Sequence, residues 1–313
     1  MASSSIFADR RVVVAIALLC CLLWGSAVPA VKVGYAMMAI APGDTGTLLF
    51  FAGIRFVIAG LMLLAYATAT GTPIGLDGRG LREAATLGLI STAAQYLFYY
   101  VGLAHSTGVK VSITTSTSTF FSVVLAHVVY ASDRLTWRRI VGCVLGFLGV
   151  VAVNLSPHGL DFTFTVLGEG FIVIAALLFS IASLVGKRIS EHMDVTVMTG
   201  WQLAIGGLVL AVAGFAMGGR LTVIDWQSVL LIAYLALVSA AAFSLWALLM
   251  RHNPVGVVAI FNSTIPLFGV TLSGILLGDP LFEWKNLAAL ALVVSGIWLV
   301  TATPRAQPAS DLG

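Results

Sequence analysis

The feature that most limits what this chain can fold into is that it states one apolar segment of roughly 145 residues twice, with the charges of the two copies on opposite sides. Sliding the sequence along itself by 147 positions pairs Ile58, Gly60 and Leu61 with Ile205, Gly207 and Leu208. The same shift pairs His105, Val111, Ile113, Ser116, Thr117 and Phe121 with His252, Val258, Ile260, Ser263, Thr264 and Phe268, and lays Trp137 and Gly149 over Trp284 and Gly296. At the front of each copy the shift is 155, which superposes Leu22, Leu23 and Lys32 on Leu177, Leu178 and Lys187. A polytopic chain built from inverted halves is the mark of a carrier working by alternating access.

With 59% hydrophobic residues, 9% charged and a mean hydropathy of +1.05, the chain belongs in a bilayer rather than in water. A spanning helix needs about 20 mostly apolar residues. Ten such stretches are read at 12–33, 47–68, 82–103, 108–130, 137–155, 166–186, 195–217, 226–250, 256–277 and 284–302. The expectation is an all-α polytopic membrane protein of ten transmembrane helices: a first five-helix repeat over 1–156, a second over 157–303 and a disordered tail over 304–313. The join falls at the turn formers Ser156-Pro157-His158-Gly159.

Positive charge supplies the orientation. Arg10, Arg11, Arg79, Arg82, Arg134, Arg138, Arg139, Lys187, Arg188, Arg251 and Arg305 lie on the side of the N-terminus, against Lys32, Lys110, Arg220 and Lys285 opposite. That bias places both termini in the cytoplasm, and five helices per half make the second half inverted. Arg10 and Arg11 before an apolar run, with Val28-Pro29-Ala30 as a cleavage-like site, also imitate a signal peptide. The alignment of this stretch with an internal segment argues for a retained helix. Cys20, Cys21 and Cys143 lie in apolar helices, so neither a disulfide framework nor a metal site is expected. A net charge of +3 does not suggest nucleic acid.

The fourth span carries eight hydroxyls between Ser112 and Ser122, and its mate is Asn262-Ser263-Thr264-Ile265-Pro266 in the ninth. Hydroxyls can bond back to their own helix, but so many together predict a cavity lining; close helix packing is the alternative. The third span adds Gln95 and Tyr99 on one helical face, and the eighth adds Phe243 and Trp246. The candidate binding set is therefore Gln95, Tyr99, Ser116, Thr117, Phe243, Trp246, Asn262 and Ser263. Such aromatic faces with polar tips suit a small amphipathic molecule.

Arg55, eight residues inside the second span, is the one cation at membrane depth. It either meets a substrate carboxylate or tethers helices, with Glu169 a candidate partner. If flux is coupled to protons, Glu169 or His127 must carry the coupling. Pro29, Pro254 and Pro266 are candidate gating positions. Gly142, Gly146 and Gly149 in the fifth span serve packing within one protomer or a homodimer interface. No Gly-rich phosphate loop with its Lys is present, and no cofactor is called for.

Leu23-Trp24-Gly25-Ser26 with Lys32, Arg55-Phe56, and Leu281 after Gly278-Asp279-Pro280 resemble, in this order, the drug/metabolite transporter superfamily and its EamA-type carriers. Asp133 and Asp279 stand where that family usually has Glu, and the usual proline of the fourth span is missing within Ser118-Thr119-Phe120. The resemblance implies a basket in which helices one to four and six to nine surround a cavity, with five and ten outside. It also implies export of amino acids or other small metabolites, and aromatic amino-acid exporters are similar in overall look. The reading is a bacterial inner-membrane secondary carrier exporting an amino acid; uptake or exchange of a nucleoside, vitamin, drug or quaternary amine is the alternative. A polytopic enzyme would need acid, base or metal ligands gathered at one depth, and the sequence scatters them.

Overall fold

The computed structural model describes residues 7, 9–129, 136–153, 163–253, 258, 261, 264–278 and 283–301. Among them are twelve α-helices and no strand: α1 Arg10–Met37, α2 Thr45–Ala69, α3 Gly78–Gly88, α4 Gln95–Ala104, α5 Gly108–Thr115, α6 Thr117–Val129, α7 Trp137–Val153, α8 Phe171–Ser190, α9 Val195–Ala216, α10 Trp226–His252, α11 Thr264–Leu277 and α12 Trp284–Thr301. A π-turn, Leu89–Ala94, fuses α3 to α4, and a second, Val166–Gly170, leads into α8. Seven continuous helical runs are long and apolar enough to cross a membrane, and three shorter apolar helices lie within α7, α11 and α12. In lipid only helices and closed barrels satisfy every backbone group, and unbroken apolar runs of this length suit the helix. The join at 156–161, Asp133, Asp279, Pro254, Asn262, Ser263 and the tail over 304–313 lie outside the described residues.

The acidic residues that the spans lack reappear at their ends. Asp9, Asp44, Asp77, Asp194 and Asp225 each cap a helix, accepting from backbone N–H groups of the first turn. A carboxylate there satisfies orphan donors and faces the positive end of the helix dipole. Outside the membrane, Asp225 is held below the usual carboxylate range by the hydroxyl and N–H of Ser228. Its capping contribution is present above the ordinary carboxylate pKa and is lost as pH falls through the lowered one.

Two antiparallel helix pairs tie the halves together through glycine. A Cβ on Gly53 would lie 2.3 Å from Ala211 N, one on Gly60 2.5 Å from Ala204 N, and one on Gly207 2.7 Å from Val57 N. Thus α2 and α9 touch backbone to backbone. Gly53 and Gly60 are the 147-shift equivalents of Gly200 and Gly207, so contacts on one side of the crossing recur on the other. The pair α7 and α12 repeats the device: Gly149 meets Ala289 O and Val293, and Gly296 meets Gly142 O and Gly146 N. Between apolar helices in lipid, this close van der Waals approach supplies the association that hydrophobic burial supplies in water. The glycine stripe of α7 is thereby occupied within the chain.

One span is broken without proline. Between α5 and α6, Thr119 N bonds the carbonyl of Ser116, and Ser116 N that of Ile113, in place of α-helical spacing. The hydroxyls of Ser116 and Thr117 take the carbonyls of Ile113 and Thr114. Three-back bonds of this kind loosen a helix where a chain of good formers would continue it.

The third and eighth spans differ in length. From the cap Asp77 to His105 the first half has one residue more than the second has from the cap Asp225 to His252. Both histidines end in the same way, with Nδ1 2.9 Å from the carbonyl four residues back. The additional residue sits in the π-turn Leu89–Ala94, which widens one turn instead of disturbing either end.

Candidate functional site

Helices α1, α2, α4, α8, α9 and α10, with the π-turn Leu89–Ala94 and the α5–α6 break, enclose two chambers. The deeper is lined by Arg55, Gln95, Tyr96, Tyr99, Thr115 and Ser118, with Val31, Ile172 and Ala176 as its apolar wall. The other, toward the end of the bundle that holds Lys187 and Met250, is lined by Ser91, Thr199, Gln202 and Trp246. Trp24, Phe179 and Phe243 border both and form a partition. The Trp24 ring lies 6.2 Å from Phe179, 5.6 Å from Phe243 and 5.1 Å from Trp246, all edge-on. Each chamber holds about 80 Å³. Ligand pockets run from about 300 Å³ upward, so a substrate needs these rings to move aside. On the far side of the deeper chamber Tyr35, Phe51 and Tyr100 pack together, and Tyr35 donates to the Tyr100 carbonyl at 3.1 Å.

The partition pairs equivalent positions of the two halves. Trp24 and Phe179 are related by the shift of 155; Tyr96 and Phe243, and Tyr99 and Trp246, by 147. Tyr96 and Phe243 approach to 6.4 Å.

Arg55 dominates the electrostatics. It is 3% exposed. Its Nη2 donates to Ser239 Oγ at 3.0 Å, while its Nε has no hydrogen-bond partner in the protein. The guanidinium carbon stands 4.5 Å from the Phe56 ring centre, 5.9 Å from Tyr96 and 5.7 Å from Tyr100. Among the described residues no carboxylate pairs with it. Ring faces return about 0.5–2 kcal/mol each, whereas burying a charge costs several kcal/mol. The deeper chamber therefore carries a positive charge short of a counterion among the described residues, with Gln95 Oε1 also unpartnered on its wall.

Glu169 is not the partner of Arg55. Its carboxylate accepts from Ser106 Oγ at 2.5 Å and Thr165 N at 2.9 Å, and lies 3.7 Å from Lys110 Nζ. It borders neither chamber, and neither does His127, exposed on the last turn of α6. Ser116 and Thr117 are buried on their own carbonyls, and the neighbouring Thr115 and Ser118 supply the lining instead. Pro29 sits inside α1, four residues after Gly25, whose Cβ position would fall 2.6 Å from Phe268 Cβ on α11. Pro266 falls in the first turn of α11, where a missing N–H costs no bond within that helix.

Comparison with known proteins agrees with this architecture. The model of the EamA-like transporter family matches twice, over residues 11–155 and 166–302. The chain belongs to the EamA-like transporter family. This EamA-like transporter is similar to the uncharacterized transporter YetK of Bacillus subtilis, 28% identical over 82% of the chain and 78% of that protein. It is 24% identical to a probable amino-acid metabolite efflux pump of Salmonella typhimurium, over 91% and 93% of the two chains. It is 26% identical to the uncharacterized inner membrane transporter YedA of Escherichia coli K12, over 92% of each. One crystal structure superposes with a TM-score of 0.70 at 17% identity, covering 94% of the chain and 98% of its own, and so shares the fold. The EamA-like transporter is accordingly a multi-pass membrane protein.

Phe179 was absent from the candidate residues. Its signal was the shift of 155, which places it over Trp24 although the residue types differ. Tyr96 was signalled in the same way by Phe243.

Proposed function

We propose that this EamA-like transporter is a secondary carrier of the bacterial inner membrane that exports an amino acid by alternating access. Its ten spans form two inverted five-helix repeats, over 1–156 and 157–303, with both termini in the cytoplasm. The observation that carries the substrate class is Arg55: a buried, unpaired guanidinium on the wall of an aromatic chamber. A carboxylate supplies the missing counterion, while Trp24, Tyr96, Tyr99 and Phe243 offer ring faces to an apolar or aromatic side chain. A quaternary amine would meet Arg55 as a like charge, which disfavours that alternative. The efflux-pump name of the Salmonella relative supports the direction. Gln95, Phe243 and Trp246 belong to the path, together with Asn262 and Ser263 of the ninth span.

The test is uptake of labelled phenylalanine into proteoliposomes, with and without a pH gradient, competed by unlabelled amino acids, nucleosides and choline. Saturable flux competed by amino acids is expected. No flux above empty liposomes from folded protein, or competition by choline alone, overturns the reading.

A further inference from the structure

Beyond the transport path, α8 presents a second concave face. Its residues Ala182, Ser183, Gly186 and Lys187 border the chamber toward Met250, while Ile181, Leu184, Val185 and Arg188 face the other way, into a groove of about 460 Å³. The groove runs between α3 and α6 with α8 as its floor. Its two ends differ in chemistry. Arg79, Arg82 and Arg188 gather at one end with Glu83 and His192, at the same end of the bundle as Arg11. The remainder is apolar apart from Thr86, with Leu125, Ile181, Leu184 and Val185 among its residues. The neighbouring Val124 and Val128 of α6 are exposed, 43% and 75%, which marks this surface as one that meets acyl chains.

Among the described residues the charged end is not self-neutralised. Glu83 uses both oxygens, one 2.9 Å from Arg79 Nε and one 2.7 Å from His192 Nε2. That leaves Arg82 and Arg188 with no ion-pair partner among the described residues. Two guanidiniums beside an apolar trough that opens on lipid match one kind of molecule in shape and in charge.

We propose that this groove binds an anionic phospholipid, its phosphate between Arg82 and Arg188 and one acyl chain along Leu184 and Val185. Basic pockets between spanning helices are recognised in this way by lipid headgroups. A free phosphate would leave the apolar length unused, and a zwitterionic lipid would bring its own cation against the arginines. The lipid lies between α3, which leads into the π-turn that carries Ser91, the partner of Gln202, and α6, which follows the break at Ser116. It therefore occupies a position from which it bears on the separation of two elements of the path.

The experiment is native mass spectrometry of the purified full chain in neutral detergent, titrated with phosphatidylglycerol, phosphatidylcholine or inorganic phosphate, with thermal shift in parallel. Wild type is expected to retain phosphatidylglycerol about tenfold better than phosphatidylcholine, and to gain no stability from inorganic phosphate. The double variant Arg82→Gln, Arg188→Gln should lose that preference, whereas Arg251→Gln, an exposed charge on the last turn of α10, should keep it. Equal retention by the double variant, an equal loss in Arg251→Gln, or the same stabilisation by inorganic phosphate overturns the proposal. Both arginine substitutions sit on exposed side chains, so folding is not at stake.

Discussion

Arg55 and Gln202 occupy equivalent positions in the two halves, and each reaches into the third helix of the other half. Arg55 donates to Ser239 at 3.0 Å and Gln202 donates to Ser91 at 2.7 Å. Counted from the caps Asp77 and Asp225, Ser91 and Ser239 are also equivalent, so the two bonds are one contact made twice. A neutral amide completes it in one half; a cation with donors to spare completes it in the other. The asymmetry falls on the wall of the deeper chamber.

Arg55→Gln makes the two struts alike and removes the charge. Loss of a charge-assisted bond worth about 1.5–3 kcal/mol should raise the phenylalanine KM by roughly ten- to a hundredfold. The empty carrier should unfold no earlier than wild type in a thermal shift assay, because a buried charge without a counterion has gone. An unchanged KM would assign Arg55 to tethering alone.

Gly53→Ala should prevent α2 and α9 from meeting. The new methyl would lie 2.3 Å from a backbone nitrogen, which cannot swing away as a side-chain tip could. A cost at or above the about 1–3 kcal/mol typical of overpacking is expected. Gly43→Ala is the matched control, with nothing within 4 Å of its Cβ position. Thermal unfolding in detergent compares the two, and equal midpoints would refute the backbone contact.

Trp24→Ala should join the chambers. Removal of the ring that touches Phe179, Phe243 and Trp246 leaves an opening between them, so a small thiol reagent added from the Lys187 end should reach a cysteine placed at Ser118. Trp246→Ala keeps Trp24 in place and should weaken substrate affinity by roughly two- to twelvefold, in keeping with loss of an aromatic contact of about 0.5–1.5 kcal/mol. Labelling rates and KM report these separately.

Much of this was readable beforehand. About twenty mostly apolar residues leave a chain in lipid one way to satisfy its backbone locally, the helix, and the repeat laid Gly60 over Gly207, the two glycines that meet the facing backbone from opposite sides of the α2–α9 crossing. The break at Ser116 was not readable, because hydroxyl back-bonds carry no marker comparable to proline. Hydroxyls crowd every face of the fourth span, so its pattern offers no phase by which to prefer Thr115 and Ser118, which line the chamber, to Ser116 and Thr117. The π-turn escaped for a similar reason. A rigid shift of 147 cannot reveal one additional residue lodged between two well-aligned ends.

Glu169→Gln should separate structure from coupling. The substitution keeps an acceptor for Ser106 or Thr165 but abandons Lys110, and a loss of about 1–3 kcal/mol of stability is expected. The response of flux to a pH gradient should survive it. A carrier that stays folded yet ceases to respond would instead make Glu169 the coupling group.

The π-turn at Leu89–Ala94 also bears on ancestry and on engineering. A helix that absorbs an inserted residue as a local widening lets a duplicated gene drift in length without losing its end fittings, Asp77 with His105 and Asp225 with His252. The two halves have thereby ceased to be spare parts for one another. A chimera of two first halves would carry the widened turn on both sides of the cavity and one of two second halves on neither, so each would erase the one-residue difference that the natural chain keeps between strut and helix end.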